Sequence, residues 1–151
     1  MNDDLITQIR RLSQQYAYTS IQMHETIGRK AGFSGTDHKY LGFLLQKGRM
    51  TAGELANLTG LTTGAVTGLI DRFEKKKLVK RQFDEDDRRK VFIVPDTGKI
   101  MALLEPLYKE FRNNSEKLIA SFPEKELKIL ETYFSKAIEI MAETTNKLNS
   151  K

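Results

Sequence analysis

Apolar residues return every three or four positions along most of this chain, which predicts helices, while residues 78 to 95 are patterned as strands. Leu5, Ile9, Leu12, Tyr16, Met23 and Ile27 form the apolar side of a first helix, capped by Asn2, Asp3 and Asp4 and ending near Gly32. Thr36 and Asp37 open a second, which carries Tyr40, Leu41, Leu44 and Leu45 and stops at Gly48. Thr51-Ala-Gly-Glu54 has the form of a capping box, with Leu55 and Leu58 behind it. Thr59-Gly60 makes a turn, and a further helix runs from Thr62 to about Lys77. Leu78 to Phe83 and Lys90 to Val94 read as a hairpin whose tip is Asp84-Glu-Asp-Asp-Arg-Arg89. Pro95 ends that pattern, and Asp96-Thr-Gly98 begins a long helix marked by Ile100, Leu104, Leu107, Phe111 and Leu118. Ser121-Phe-Pro-Glu124 interrupts it. Leu127, Leu130, Phe134, Ala137 and Met141 then alternate steps of three and four, a heptad-like seam. The polar tail from Asn146 to Lys151 is expected to fray. The fold class is mainly α: a winged helix-turn-helix with long N- and C-terminal helices and one β-hairpin wing.

The helix from Thr62 carries the most informative pattern. Val66, Leu69, Ile70 and Phe73 fall at i, i+3, i+4 and i+7 and turn one face to a core. At about 100° per residue, Gly64 and Gly68 point the opposite way, together with Asp71, Arg72 and Lys75, with Thr67 on the flank. Each glycine costs a helix roughly 1 kcal/mol against alanine. A face that only met water has little reason to carry two, whereas one that slides close to something bulky does. Helix 51–58 and helix 62–77 joined by Gly60 make a helix-turn-helix, and the second helix is its candidate reader of a DNA major groove. Thr62, Thr63 and Thr67 are placed for phosphates or thymine methyls, beside the bare Gly64 and Gly68. Arg72 and Lys75 are placed for the flanking backbone. The tip residues Arg88, Arg89 and Lys90 suit a narrow, electronegative minor groove. Asp84, Glu85, Asp86 and Asp87 oppose that role unless one or two pair with arginine in a fork and stiffen the loop.

Composition agrees with a polyanion partner. The formal net charge is +5 over 151 residues, and the pI is about 9.4. No cysteine is present, which excludes disulfides, thiolate metal sites and thiol redox sensing. No basic-then-apolar leader and no membrane-length apolar run occurs, so a cytoplasmic protein without membrane contact is expected.

The stretch Leu61 to Arg81 and the wing Asp86-Asp-Arg-Arg89 resemble the MarR family of winged-helix transcriptional regulators. Ala56, Gly60 and Val66 match the small, glycine and apolar positions general to helix-turn-helix units. The resemblance runs from the second helix to the last. It implies a homodimer built from the terminal helices, binding a palindromic operator in double-stranded DNA and repressing. It further implies that Asp87 and Arg89, matching the family's Asp-x-Arg motif, brace and insert the wing. It is weakest at Val94-Pro-Asp-Thr-Gly98, where the family usually has Leu-Thr, two variable residues and Gly. The domains then read as residues 1–34 for dimerisation, 35–97 for DNA binding and 98–148 for dimerisation. The dimer also follows from the apolar faces of the terminal helices, which a winged helix is too small to cover.

Family members often release DNA on binding a small aromatic or anionic effector. Tyr16, Met23, His38, Tyr40, Phe43, Tyr108 and Phe111 are the candidates for such a pocket, and equally for plain core. His24-Glu25 and Asp37-His38 raise a metal site, but adjacent helical side chains diverge by about 100°, so no metal or other cofactor is expected. Catalytic residues are not expected either: two histidines, no phosphate-cradling loop, and carboxylates on charged surfaces. The alternative is a winged-helix module that binds protein rather than DNA. An RNA binder is disfavoured by the lack of an aromatic stacking platform.

Overall fold

A computed structural model describes residues 2–34 and 36–150. Its elements are α1 (Asn2–Lys30), α2 (Asp37–Lys47), β1 (Met50–Thr51), α3 (Ala52–Thr59), α4 (Thr63–Lys75), β2 (Val79–Phe83), β3 (Val91–Pro95), α5 (Thr97–Ala120) and α6 (Glu124–Asn149). The chain divides into two compact units, Met1–Tyr108 and Lys109–Lys151.

The first unit holds the core. Phe33, Leu41 and Leu44, Leu55, the four apolar residues of α4, Leu78 and Val79, Ile93, Ile100 and Leu104 are all buried together. Phe33 and Phe73 meet edge-on, their centroids 6.0 Å apart, an arrangement favoured by the ring quadrupoles. The sheet has the order β1-β3-β2 and is antiparallel. In the hairpin Val79 lies opposite Pro95 and Phe83 opposite Val91. Pro95 is thus the last residue of a strand rather than the first beyond it.

β1 was not expected. Its two residues pair with Ile93 and Phe92, and two residues are too few to show alternation. Thr51 also caps α3, as the sequence predicts. Asn2, Asp3 and Asp4 lie within the first turn of α1, not ahead of it. There their charges favour the helix N-terminus. At the wing exit the Asp96 carboxylate accepts from the Lys99 amide at 3.1 Å and starts α5.

The second unit comprises the end of α5, the break at residues 121–123 and α6. Pro123 stands at the N-cap of α6. The helix continues to Asn149, with Ser150 at its C-cap, so the tail expected to fray is helical from Asn146 to Asn149. Lys151 lies outside the described residues. α6 buries no residue. Large apolar side chains stay exposed on all the terminal helices, among them Leu5, Ile9 and Leu12, then Leu118, Ile119, Ile138 and Met141. Among the described residues no helix is long and apolar enough to cross a membrane.

Candidate nucleic-acid interface

The helix-turn-helix is fixed by local hydrogen bonds. The Thr51 hydroxyl accepts from the Glu54 amide at 3.1 Å. Gly60 is left-handed, with φ 74°, and its amide donates to the Ala56 carbonyl at 2.9 Å. Only glycine adopts that conformation without a Cβ penalty. Thr62 then caps α4 by accepting from the Ala65 amide at 3.2 Å. Of the helix's side chains, Val66, Leu69, Ile70 and Phe73 are at most 1% exposed. Thr62, Thr63, Gly64, Thr67, Asp71, Arg72 and Lys75 are exposed, and Gly68 is half-buried. The expected reading face therefore lies outward. The Thr67 hydroxyl is turned back to the Thr63 carbonyl at 2.9 Å. A Cβ on Gly64 would meet nothing within 4 Å, whereas one on Gly68 would lie 3.4 Å from Arg72 Nη1.

Arg72, though its side chain is 55% exposed, turns its guanidinium back to α2. Its Nε donates to Asp37 Oδ2 at 2.7 Å and its Nη2 to Asp37 Oδ1 at 3.0 Å, a two-point fork. That hydrogen bonding holds the Arg72 guanidinium charged still more firmly than usual. Asp37 is 5% exposed, which corrects the expectation that the carboxylates all lie on charged surfaces. A buried carboxylate needs such a partner, because unpaired it forfeits its hydration. On the other side of α4, Arg81 of β2 donates through Nη2 to Asp71 Oδ1 and through Nη1 to Glu74 Oε1, both at 2.6 Å. Sequence reasoning missed Asp37 and Arg81. Asp37 and Arg72 stand 35 residues apart, beyond any helical spacing, but the buried side of α2 beginning with an acid was a usable signal.

In the wing, Asp87 Oδ1 accepts from both the Arg89 amide at 3.0 Å and Arg89 Nε at 3.1 Å. The arginine thus meets a single oxygen, not a fork as expected. That bond, with the amide's, holds the Asp87 carboxyl below the usual carboxylate range. Asp84 accepts from the Asp86 amide at 3.0 Å. These acids are turned onto the loop's own backbone, while the Arg89 side chain is 92% exposed and Arg88 and Lys90 are exposed beside it. On β3, one residue in from the tip end of the hairpin, the Arg49 guanidinium lies 4.1 Å from the Phe92 ring centroid, a further contact the sequence did not reveal.

The expected effector residues separate into smaller groups. Tyr40 and Phe43 stack on each other at 6.3 Å. Tyr16 is 66% exposed, Met23 is half-buried, and Phe111 belongs to the second unit. His38 and Tyr108 do meet, and His24 joins them. The Tyr108 hydroxyl lies 2.6 Å from His24 Nδ1 and 3.2 Å from His38 Nε2. It has one proton, so with both imidazoles neutral one donates to it and the other accepts from it. Burial, then the neighbouring His24, pulls the His38 pKa down, and burial pushes the Tyr108 hydroxyl up. The two histidines come from different Asp/Glu-His pairs of the sequence. Among the described residues no three His, Asp or Glu side chains are grouped to hold a metal. A cleft of about 460 Å³ opens elsewhere, between the end of α4 and the base of the wing, lined by Glu74, Lys77, Val79, Lys80, Val94, Pro95 and Asp96.

Comparison with known proteins agrees with this architecture. A family model described as MarR family matches residues 31–90. The helix-turn-helix-type transcriptional regulator YcgE of Bacillus subtilis (strain 168) is 35% identical over 138 residues, covering 91% of this chain and 89% of that protein. A MarR family protein from Bacillus stearothermophilus superposes with a TM-score of 0.72 at 24% identity, over 94% of this chain and 99% of that one. A mutant MarR from E. coli complexed with operator DNA superposes with a TM-score of 0.56 at 21% identity, over 87% and 94% of the two chains. By its match to the family model and its identity to a full-length relative, this chain belongs to the MarR family of helix-turn-helix transcriptional regulators.

Proposed function

We propose that this protein is a cytoplasmic repressor that binds a palindromic operator in double-stranded DNA as a homodimer and is released by a small aromatic or anionic effector. The observation that carries the reading is the outward face of α4, bare at Gly64 and Gly68, flanked by Thr63, Thr67 and Lys75, and opposite a fully buried stripe. Thr62, Thr63, Thr67 and Lys75 meet the major groove and its phosphates, and Arg88, Arg89 and Lys90, braced by Asp87, enter the neighbouring minor groove. A structural neighbour complexed with operator DNA supports the same use of the fold. Residues 35–97 form the DNA-binding part, and residues 1–34 and 98–148 dimerise. The apolar side chains exposed on the terminal helices support that assignment, for example Leu5 at 61% and Ile138 at 60%. Burying ten such residues at ~1.5–3 kcal/mol each outweighs the cost of association. Two readers related by a two-fold axis enter successive major grooves roughly 34 Å apart.

Salt tests the reading. Duplex affinity should fall steeply between about 50 and about 200 mM salt, because each neutralised phosphate releases counterions. A flat response would favour the protein-binding alternative. Sedimentation at micromolar concentration should give a dimer, and a monomer would remove the role given to the terminal helices.

A further inference from the structure

The reader helix is held from both flanks of its apolar stripe. With Val66, Leu69, Ile70 and Phe73 facing inward, the ~100° helical step places Arg72 on one flank and Asp71 with Glu74 on the other. Arg81 grips the second pair from β2. Asp37, the first residue of α2, grips Arg72. The two grips differ. Asp71 and Glu74 are largely solvated, with side chains 61% and 42% exposed, whereas the Asp37 side chain is 8% exposed. A buried carboxylate joined by two short bonds tolerates little rotation of its partner, because turning away leaves the charge unpaired. The Arg72 side chain crosses α4's own surface to reach it, passing Gly68: Nη1 lies 3.4 Å from where a Cβ on residue 68 would stand, an ordinary contact.

We infer that Asp37 and Arg72 form a latch that sets the rotational position of α4 for groove recognition. Asp37 is thus a positioning residue outside the helix-turn-helix, and Arg72 serves it rather than a phosphate. The inference rests on the DNA-binding reading above. Rotating α4 by one residue's worth would carry Gly64, Thr67 and Lys75 away from the groove while leaving the basic wing able to meet phosphates. The latch therefore governs preference for sequence more than affinity for DNA as such.

The test uses the full chain and two duplexes, one selected by the wild-type protein from a random-sequence pool and one of equal length with that sequence scrambled. Each is titrated over a salt series with wild type, Asp37→Asn, Arg72→Lys and the double variant Asp37→Asn/Arg72→Met. Asparagine and lysine each break the fork while keeping size or charge. The double variant leaves no buried charge unpaired, so it stays folded by circular dichroism even if a single variant does not. All three should bind the selected duplex on the order of tenfold or more weakly while holding the scrambled duplex, and its salt slope, near wild type. The double variant should lose no more than the single ones, since both act on one link. The latch is overturned if Asp37→Asn keeps wild-type preference, or if the double variant keeps it. It is equally overturned if the Arg72 variants lose affinity for both duplexes alike, with the double variant's salt slope lowered by about one, which marks a phosphate contact. If wild type itself prefers neither duplex and its binding ignores salt, the DNA-binding reading has failed and the latch with it.

Discussion

Gly64 and Gly68 share the outward face of α4, but their surroundings separate their roles. A Cβ on Gly68 would touch Arg72 Nη1, the far end of a flexible side chain, whereas the space over Gly64 is open. Nothing within the folded protein therefore needs a glycine at 64, and its φ is not among the left-handed ones. Gly64→Ala should stabilise the helix by up to ~1 kcal/mol, since alanine removes the backbone entropy that glycine loses on folding. The same methyl would project into the groove on the reading proposed here. The variant should melt a few degrees higher and bind its selected duplex more weakly. An alanine that raises the melting temperature with affinity untouched would mean that the backbone at 64 does not approach DNA. Calorimetry and a binding titration on one preparation decide it.

At the scale of elements, the end of α4 departs from what the sequence leads one to expect. The Leu78 amide donates to the Phe73 carbonyl and the Lys77 amide to the Glu74 carbonyl, both at 2.9 Å, the two bonds of a Schellman ending. The residue in its left-handed position is Lys77, with φ 60°, where glycine is usual. A Cβ there costs roughly 1–2 kcal/mol, partly offset because lysine has less backbone freedom to lose than glycine. Lys77→Gly should thus stabilise by about 0.5 kcal/mol, read as a higher denaturant midpoint with unchanged slope. A lower midpoint would show that the lysine side chain contributes more than its backbone costs. The helices themselves were legible because apolar spacing, the Thr51 and Thr62 caps and the Gly48 and Gly60 stops act within a few residues of one another. The pairs Asp37–Arg72 and His24–Tyr108 were not, because they stand 35 and 84 residues apart and local spacing carries no trace of them. β1 was too short to show a period. The end of α6 was masked by its polar residues, which suit an exposed helix as well as a frayed one.

At the scale of the whole molecule, the first unit contains a group that should make its stability depend on pH. His38 of α2 sits between Tyr108 of α5, Phe33 and His24 of α1, and no carboxylate bonds to its ring among the described contacts. Burial lowers its pKa first, and the charge of His24 lowers it further. In the unfolded chain an imidazole takes its proton near pH 6.5; in the folded protein the same proton binds only at lower pH. Between those values the unfolded state holds more protons, so stability rises with pH. The contribution is fully present above about pH 6.5 and disappears as the pH falls through the folded value. Protonation also disturbs the shared hydroxyl, since a cationic His38 can only donate to it and no longer accept its proton. The melting temperature should therefore drop between about pH 7.5 and about pH 5.5, and His38→Gln, which keeps a hydrogen-bonding side chain without titrating, should drop less. Equal slopes in the two proteins would assign the loss to other groups. A smaller slope in the variant, with the fold retained, would place the titration where His24 of α1, His38 of α2 and Tyr108 of α5 meet through hydrogen bonds.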